Sequence, residues 1–265
     1  MNPFPNKNHP SSMDSDFPGI ECTHLSETES TNSWLRQQPN DGKIRLAWAD
    51  YQTSGRGQKG NHWESEAGKN LLFTIGIPSP PILPNEQFLL SQCIATSICR
   101  GLQEATHRVF QVKWPNDIYF REQKLGGILI EHQIHHGSIS RSLAGIGLNV
   151  NQARFLSNAP NPVSLCQVTG RPWERTELLT TLLHFILKGL DSLRQGHHDS
   201  IRLGYWQLLY RREGVHPFCD AQGTFLASIT AIEDGGRLHL KDTNGRVRSY
   251  DFKEVQFILP HHDAH

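Results

Sequence analysis

The apolar residues of this chain change their period more than once, and that change limits what it can fold into. From Glu86 to Ala105, Phe88, Leu89, Ala95, Ile98, Cys99 and Leu102 recur at helical spacing. From Thr176 onward, Leu178, Leu182, Ile186 and Leu190 return every four residues beside Leu179, Leu183 and Leu187, until Gly196 closes the run. A further helix is expected over about 199–212, and Ser30-Thr31-Asn32 offers caps for a short one through about Gln37. Strand-like patterns occupy 44–51, 70–77, 108–112, 117–120, 125–134 and 138–150, the last two joined as a hairpin across His135-His136-Gly137. After Gly214 only short β runs remain, over 224–232, 237–241 and 246–252. They are separated by Asp234-Gly235 and Asn244-Gly245, dipeptides suited to hairpin turns. The pattern is that of an α+β domain followed by a small antiparallel β module.

Length and composition agree with that division. A chain of 265 residues suits one large domain and one small one, and 37% apolar residues with a mean hydropathy of −0.49 supply a core under a polar surface. Lys plus Arg and Asp plus Glu number 26 each, so no net field favours nucleic acid or an anionic membrane. No apolar run approaches the roughly 20 residues a bilayer span needs. Five scattered cysteines without a C-x-x-C pair, and an N-terminus without a signal-peptide pattern, fit a reducing cytoplasm. The fifteen histidines include adjacent pairs but no ligand spacing for a metal. Residues 1–19, with Pro3, Pro5, Pro10 and Pro18, read as a disordered arm, and Met13 is an alternative start. The expected organisation is therefore this arm, a main domain over 20–213 and a β module over 214–265.

Two distant segments carry the candidate chemistry. Gly55-Arg56-Gly57-Gln58-Lys59-Gly60 and Lys113-Trp114-Pro115-Asn116-Asp117, the latter followed by Lys124-Leu125-Gly126-Gly127, each pair cations with glycines that leave backbone N–H groups uncovered. Such groups can hold two mutually repelling anions in contact, which points to activation of a carboxylate by a nucleotide. The first segment satisfies G-x-G-x-x-G, but a strand follows it where a dinucleotide-binding fingerprint would open a helix, and the acidic residue due about 20 positions later is replaced by Pro78-Ser79-Pro80-Pro81. Gly68-Lys69-Asn70 lacks the hydroxyl of a P-loop. Arg56 offers a planar fork for a carboxylate or phosphate, and Lys124 stands at the start of a strand. The duller readings are a solvated turn for the first and a strand-end lysine for the second. Trp63 and Trp114 suit a core, Asp117 suits a turn cap, and the glycines of Gly145-Ile146-Gly147-Leu148-Asn149 mark either a close approach to the backbone or a bulge.

Taken in order and at their intervals, five motifs resemble the biotin protein ligases: Ser30-Thr31-Asn32; Tyr51 to Gly60 with Trp63; Lys113 to Asp117; Lys124 to Glu131; and Gly145 to Asn149. The match covers about residues 22–260 and resembles the monofunctional type without a DNA-binding domain. The resemblance implies a catalytic domain like the class II aminoacyl-tRNA synthetases, with a mixed sheet, followed by an SH3-like β-barrel. It also implies two half-reactions: biotin and Mg-ATP give biotinyl-5′-AMP and pyrophosphate, and a lysine of a biotin carboxyl carrier domain then displaces AMP. Carried over by residue, Ser30, Thr31, Asn32 and Gln52 would line the biotin pocket, and Arg56, Gly57 and Gln58 would fold over biotin and the adenylate. Lys124 would bridge the carboxylate and α-phosphate, and Gly127 would lie against biotin. Trp63, Asn116, Asp117 and Asn149 would serve ATP, with Asp117 also near Mg²⁺. Gln58 stands where many bacterial members carry arginine.

Lys124 and Arg56 are thus the expected catalytic pair, with biotin as substrate, ATP and Mg²⁺ as co-substrate and ion, and no tightly bound prosthetic group. The expected partner is the carrier domain of a biotin-dependent carboxylase, with neither nucleic acid nor membrane, and the chain is expected to be a monomer or a weak homodimer. Two other functions compete with this one. A lipoate or octanoate ligase or transferase shares the fold but typically shows Arg-Arg and a run of glycines, which this chain lacks. A non-catalytic biotinyl-adenylate sensor or repressor would need a winged helix, for which the segment before Glu21 is too short, and a basic face.

Overall fold

The computed structural model describes residues 17–58, 62–156 and 161–259. Most of the expected disordered arm, Lys59 and Gly60 therefore lie outside the described residues. The chain divides into two compact units. The first holds residues up to Pro80 with Gly126–Ser157 and Ser164–Thr181, and the second holds Pro81–Leu125, Asn158–Val163 and the chain from Leu182.

The first unit is built on a mixed sheet. β1 (Ile20–Thr28) runs parallel to β2 (Ile44–Gln52), with the short helix α1 (Thr31–Arg36) between them in sequence. β3 (Leu71–Pro78), β7 (Ser138–Leu148) and β6 (Gln123–His135) continue it antiparallel, in the order β1-β2-β3-β7-β6. Residues directly opposite one another share a face of a sheet, so the register separates two surfaces. One carries Leu46, Trp48, Phe73, Ile75, Ile146 and Leu148, all buried. The other carries Ala47, Ala49, Thr74, Gly145 and Gly147, with Gly127 opposite Gly147. On that second face Leu35 of α1 packs with Leu25, Ala47, Ala49 and Leu143, and Trp34 covers the cluster.

In the second unit, a single 3₁₀ turn at Pro84–Glu86 leads into α2 (Gln87–Thr106). Here the apolar period buries Phe88, Leu89, Leu90, Ile94, Ile98 and Leu102. β4 (Gln111–Lys113) and β5 (Asp117–Phe120) form an antiparallel pair and extend the sheet order past the start of β6. α3 (Leu165–Thr169) belongs to the first unit, α4 (Arg175–Arg194) begins in it and continues into the second, and α5 (His198–Gln207) packs on α2. The C-terminal strands β8 (His216–Asp220), β9 (Gly223–Ile232), β10 (Leu238–Asp242), β11 (Val247–Tyr250) and β12 (Gln256–Phe257) make a separate antiparallel sheet in the order β11-β10-β9-β8-β12. The architecture is the α+β one expected, with a mixed sheet and a small C-terminal β module.

Several expected boundaries shift for physical reasons. The strand expected over 108–112 begins only at Gln111, because His107 ends α2 in the left-handed conformation and the chain needs the intervening residues to turn. The helix expected to reach residue 212 stops at Gln207, because the next residues pair with β4 instead: Val112 N–H donates to Leu208 O, and Tyr210 N–H donates to Val112 O. At Asp234-Gly235 the left-handed position falls one residue later, on Gly236 at φ 94°. β1, α3, β8 and β12 were not expected.

Candidate active site

The short helix α1 places three polar residues at the edge of the small-residue face. Ser30 is its N-cap, with Oγ accepting from Ser33 N–H at 3.1 Å. Thr31 N–H donates to Gln52 Oε1 at 2.8 Å, and the Thr31 hydroxyl lies 3.1 Å from the same oxygen. Thr74 Oγ1, reaching up from β3, is 2.7 Å from Thr31 Oγ1 and 2.6 Å from Asn32 Oδ1. Asn32 Nδ2 donates to Glu131 Oε2 at 2.7 Å. Glu131, on β6, also pairs with Arg36 at 2.6 Å and with Arg56 at 3.6 Å. Ser30, Thr31, Asn32 and Thr74 are all buried. Gly145 is what admits Asn32, since a Cβ on that glycine would fall against the carboxamide oxygen.

Arg56 reaches this network from the glycine loop, donating to Ser33 Oγ at 3.2 Å. The loop closes where Trp63 N–H donates to Gly55 O at 2.9 Å, an approach that a Cβ on Gly55 would block at 2.7 Å from Trp63 O. Gly57 and Gln58 follow Arg56, half-buried. Trp63 lies against β7, where a Cβ on Gly147 would stand 2.6 Å from its indole ring. Asn149, buried just past β7, accepts from Leu165 N–H at 2.9 Å and so holds the start of α3.

In the second unit, Lys124 Nζ pairs with Asp117 Oδ1 at 2.7 Å; the two side chains are 24% and 19% exposed. The Lys124 backbone is bonded on both sides, its N–H to Asn161 O at 2.8 Å and its C=O from Val163 N–H at 2.9 Å. Asn116 lies half-buried in the turn before Asp117. Lys113 Nζ sits 4.9 Å from the Phe257 ring centre and 5.4 Å from that of Tyr119. Burial lowers its pKa, and the Asp117 charge opposes that shift. Trp114 serves the core: its indole N–H donates to Gly236 O at 2.8 Å, and its ring packs on Phe252.

The structure thus brings Ser30, Thr31, Asn32, Gln52 and Arg56 into one network and pairs Lys124 with Asp117. Trp63 packs on Gly147, Gly127 faces Gly147 across the hairpin, and Asn149 anchors α3. Sequence reasoning assigned no role to Thr74 or Glu131. The available signals were a hydroxyl at an inward position of an apolar strand and a carboxylate inside the run Ile128–Ile134. Among the described residues no group of three or more His, Cys, Asp or Glu could hold a metal ion, and no helix is long and apolar enough to cross a membrane.

In the first unit, buried hydroxyl and amide groups beside Arg56 offer donors and acceptors to a small polar ligand. Comparison with known proteins gives the chain its class. The model of the biotin/lipoate A/B protein ligase family matches residues 20–151. The bifunctional ligase/repressor BirA of Bacillus subtilis (strain 168) is 30% identical over 234 residues, covering 85% of this chain and 70% of that protein. The biotin–[acetyl-CoA-carboxylase] ligase of Paracoccus denitrificans is 28% identical over 231 residues, covering 84% of this chain and 95% of that protein. The biotin protein ligase from Aquifex aeolicus, solved in complex with biotin and ATP, matches with a TM-score of 0.76 at 24% identity, over 92% of this chain and all of that one. The chain belongs to the biotin/lipoate A/B protein ligase family and is a ligase.

Proposed function

We propose that this protein activates biotin with ATP and transfers it to a lysine of a biotin carrier domain. The observation that carries the reading is the polar network on the small-residue face: Thr31, Asn32 and Gln52 gathered over Thr74 and the glycines of β7, with Arg56 beside them. The names of the relatives favour biotin as the acid.

In the first step a carboxylate oxygen of biotin attacks the α-phosphorus of ATP. The bond to the bridging oxygen breaks, and pyrophosphate leaves biotinyl-5′-AMP behind. Both reactants are anionic, so cations whose contacts strengthen as charge develops lower the barrier. Lys124 takes that role at the carboxylate and α-phosphate, held in place by Asp117. Mg²⁺ would come with the triphosphate and offset part of its charge, and Asp117 would be its protein ligand, since this ion usually takes only one or two carboxylates beside phosphates and water. Trp63, Asn116 and Asn149 serve the nucleotide. Arg56 closes over the mixed anhydride with Gly57 and Gln58, which keeps water from it. In the second step the carrier lysine attacks the acyl carbon and AMP departs. Residues 20–213 carry this chemistry, and 214–265 form the SH3-like module.

The test is transfer of labelled biotin to a biotin carrier domain with ATP and Mg²⁺. ATP-dependent amide-linked label on the carrier is expected. Label from lipoate but not from biotin would overturn the choice of acid, and no transfer of either would overturn the reading.

A further inference from the structure

Glu131 imposes a direction on the hydrogen bonds of the candidate biotin site. An ionised carboxylate only accepts, so Asn32 must turn its Nδ2 toward Glu131 Oε2 at 2.7 Å and its Oδ1 toward Thr74 at 2.6 Å. The orientation of a carboxamide is ordinarily ambiguous, and here its surroundings decide it. Asn32 Oδ1 cannot donate, so the single proton of the Thr74 hydroxyl goes to it. Thr74 Oγ1 is then an acceptor, and its donor is the Thr31 hydroxyl at 2.7 Å, closer than the 3.1 Å from that hydroxyl to Gln52 Oε1. Thr31 N–H holds Gln52 Oε1 at 2.8 Å, which fixes the second carboxamide as well. The chain runs Thr31 to Thr74 to Asn32 to Glu131, and Arg36 anchors its far end through Glu131 Oε1 at 2.6 Å.

We propose that Glu131 is a positioning residue that sets specificity for biotin by fixing the donor and acceptor sense of Asn32, Thr74 and Thr31. This rests on the reading of the network as the biotin site. With the sense fixed, Asn32 keeps a second N–H to offer, while the oxygens of Thr31 and Thr74 keep lone pairs. A cyclic urea, a carbonyl flanked by two N–H groups, needs that mixture. With glutamine at 131, either end of the new side chain can face Asn32. The amide of Asn32 can then turn over, and the whole chain can reverse with it.

The experiment measures biotin affinity by calorimetry and kcat and KM for adenylate formation in wild type, Glu131→Gln, Asn32→Ala and the double variant. Loss of one charge-assisted hydrogen bond corresponds to a Kd raised roughly 10- to 100-fold. Glu131→Gln is expected to raise both Kd and KM for biotin by that factor, with kcat within twofold, and the double variant is expected to bind no worse than Asn32→Ala alone. A role in folding alone would add its effect to that of Asn32→Ala. Such additivity, or wild-type affinity in Glu131→Gln, would overturn the proposal. Should Glu131→Gln not fold, Glu131→Asp stands in: it accepts only, so its preparation must bind biotin more tightly than Glu131→Ala, and the reverse order overturns the assignment. Wild-type protein without affinity for biotin would overturn the underlying reading, and the proposal with it.

Discussion

Arg56 and Lys124 are both cations beside glycines, yet they are held in opposite ways. Lys124 stands on a strand with its backbone bonded on both sides, and its ammonium is locked to Asp117 at 2.7 Å. Arg56 stands on a loop between two glycines, 40% exposed, and its contacts are looser, 3.2 Å to Ser33 and 3.6 Å to Glu131. A charge already in place lowers a barrier without reorganising as the reaction proceeds. A charge on a loop, with weak contacts it can exchange for a ligand, is suited to closing over that ligand. In the proposed reaction the difference suits the fixed cation to the chemical step and the loose one to retention of the intermediate.

The largest effect should come from Lys124→Ala. Removing one preorganised charge from such a site lowers the rate by about 10³-fold, and the backbone bonds that seat residue 124 survive the substitution. Biotin-dependent exchange of pyrophosphate into ATP should fall accordingly, with an unchanged melting curve. Near-normal exchange would erase the distinction between the two cations. Arg56→Gly should behave differently: adenylate forms, but it escapes faster by roughly 10- to 100-fold, the equivalent of one charge-assisted hydrogen bond. Free biotinyl-adenylate in the medium, measured before any carrier is added, tests this. A formation rate that falls as far as in Lys124→Ala would make Arg56 a chemical group rather than a closing one.

Asp117→Asn sharpens the same contrast from the other side. It keeps the shape of the side chain and removes the charge that seats Lys124, making the fixed cation resemble the loose one. Adenylate formation should drop about tenfold, as expected for one ion pair of modest exposure, while biotin affinity stays at the wild-type value. Calorimetry with biotin alone, beside the exchange assay, separates the two. A loss confined to biotin affinity would move Asp117 out of the phosphate side.

Where apolar period and turn chemistry act locally, the sequence sufficed: α2, the β6–β7 hairpin and the Ser30 cap lie within a residue or two of expectation. β1 escaped because Ile-Glu-Cys-Thr-His-Leu-Ser-Glu-Thr has no clean alternation; it is an edge strand whose partner, β2, lies beyond α1. The early end of α5 depends on Val112, almost a hundred residues upstream. The site shows the same limit. Ser30, Thr31, Asn32 and Arg56 announce themselves as motif residues, but Thr74 is an ordinary strand threonine until the register sets it opposite Ala47 and Gly145. Glu131 acquires its role only when pairing with β7 brings it to Asn32.

The smallest effect on catalysis should come from Trp114→Phe, although Trp114 lies in the same five-residue motif as Asp117. Its indole is 2% exposed and donates to Gly236 O at 2.8 Å, at a turn where the glycine is required twice over. Gly236 has φ 94°, and a Cβ there would stand 2.7 Å from Phe252 and 2.9 Å from Phe88. Phenylalanine keeps much of the ring contact with Phe252 but leaves the carbonyl without this donor. The substitution should cost about 1–3 kcal/mol of stability, read as a melting temperature lower by roughly 2–10 °C. Exchange activity well below the melting range should stay within twofold of wild type, since no charge near Lys124 changes. A drop comparable to that of Asp117→Asn, with the melting temperature unmoved, would mean that the motif acts as one catalytic unit. The intended outcome instead separates it into a residue that anchors the turn at Gly236 and a residue that seats a cation.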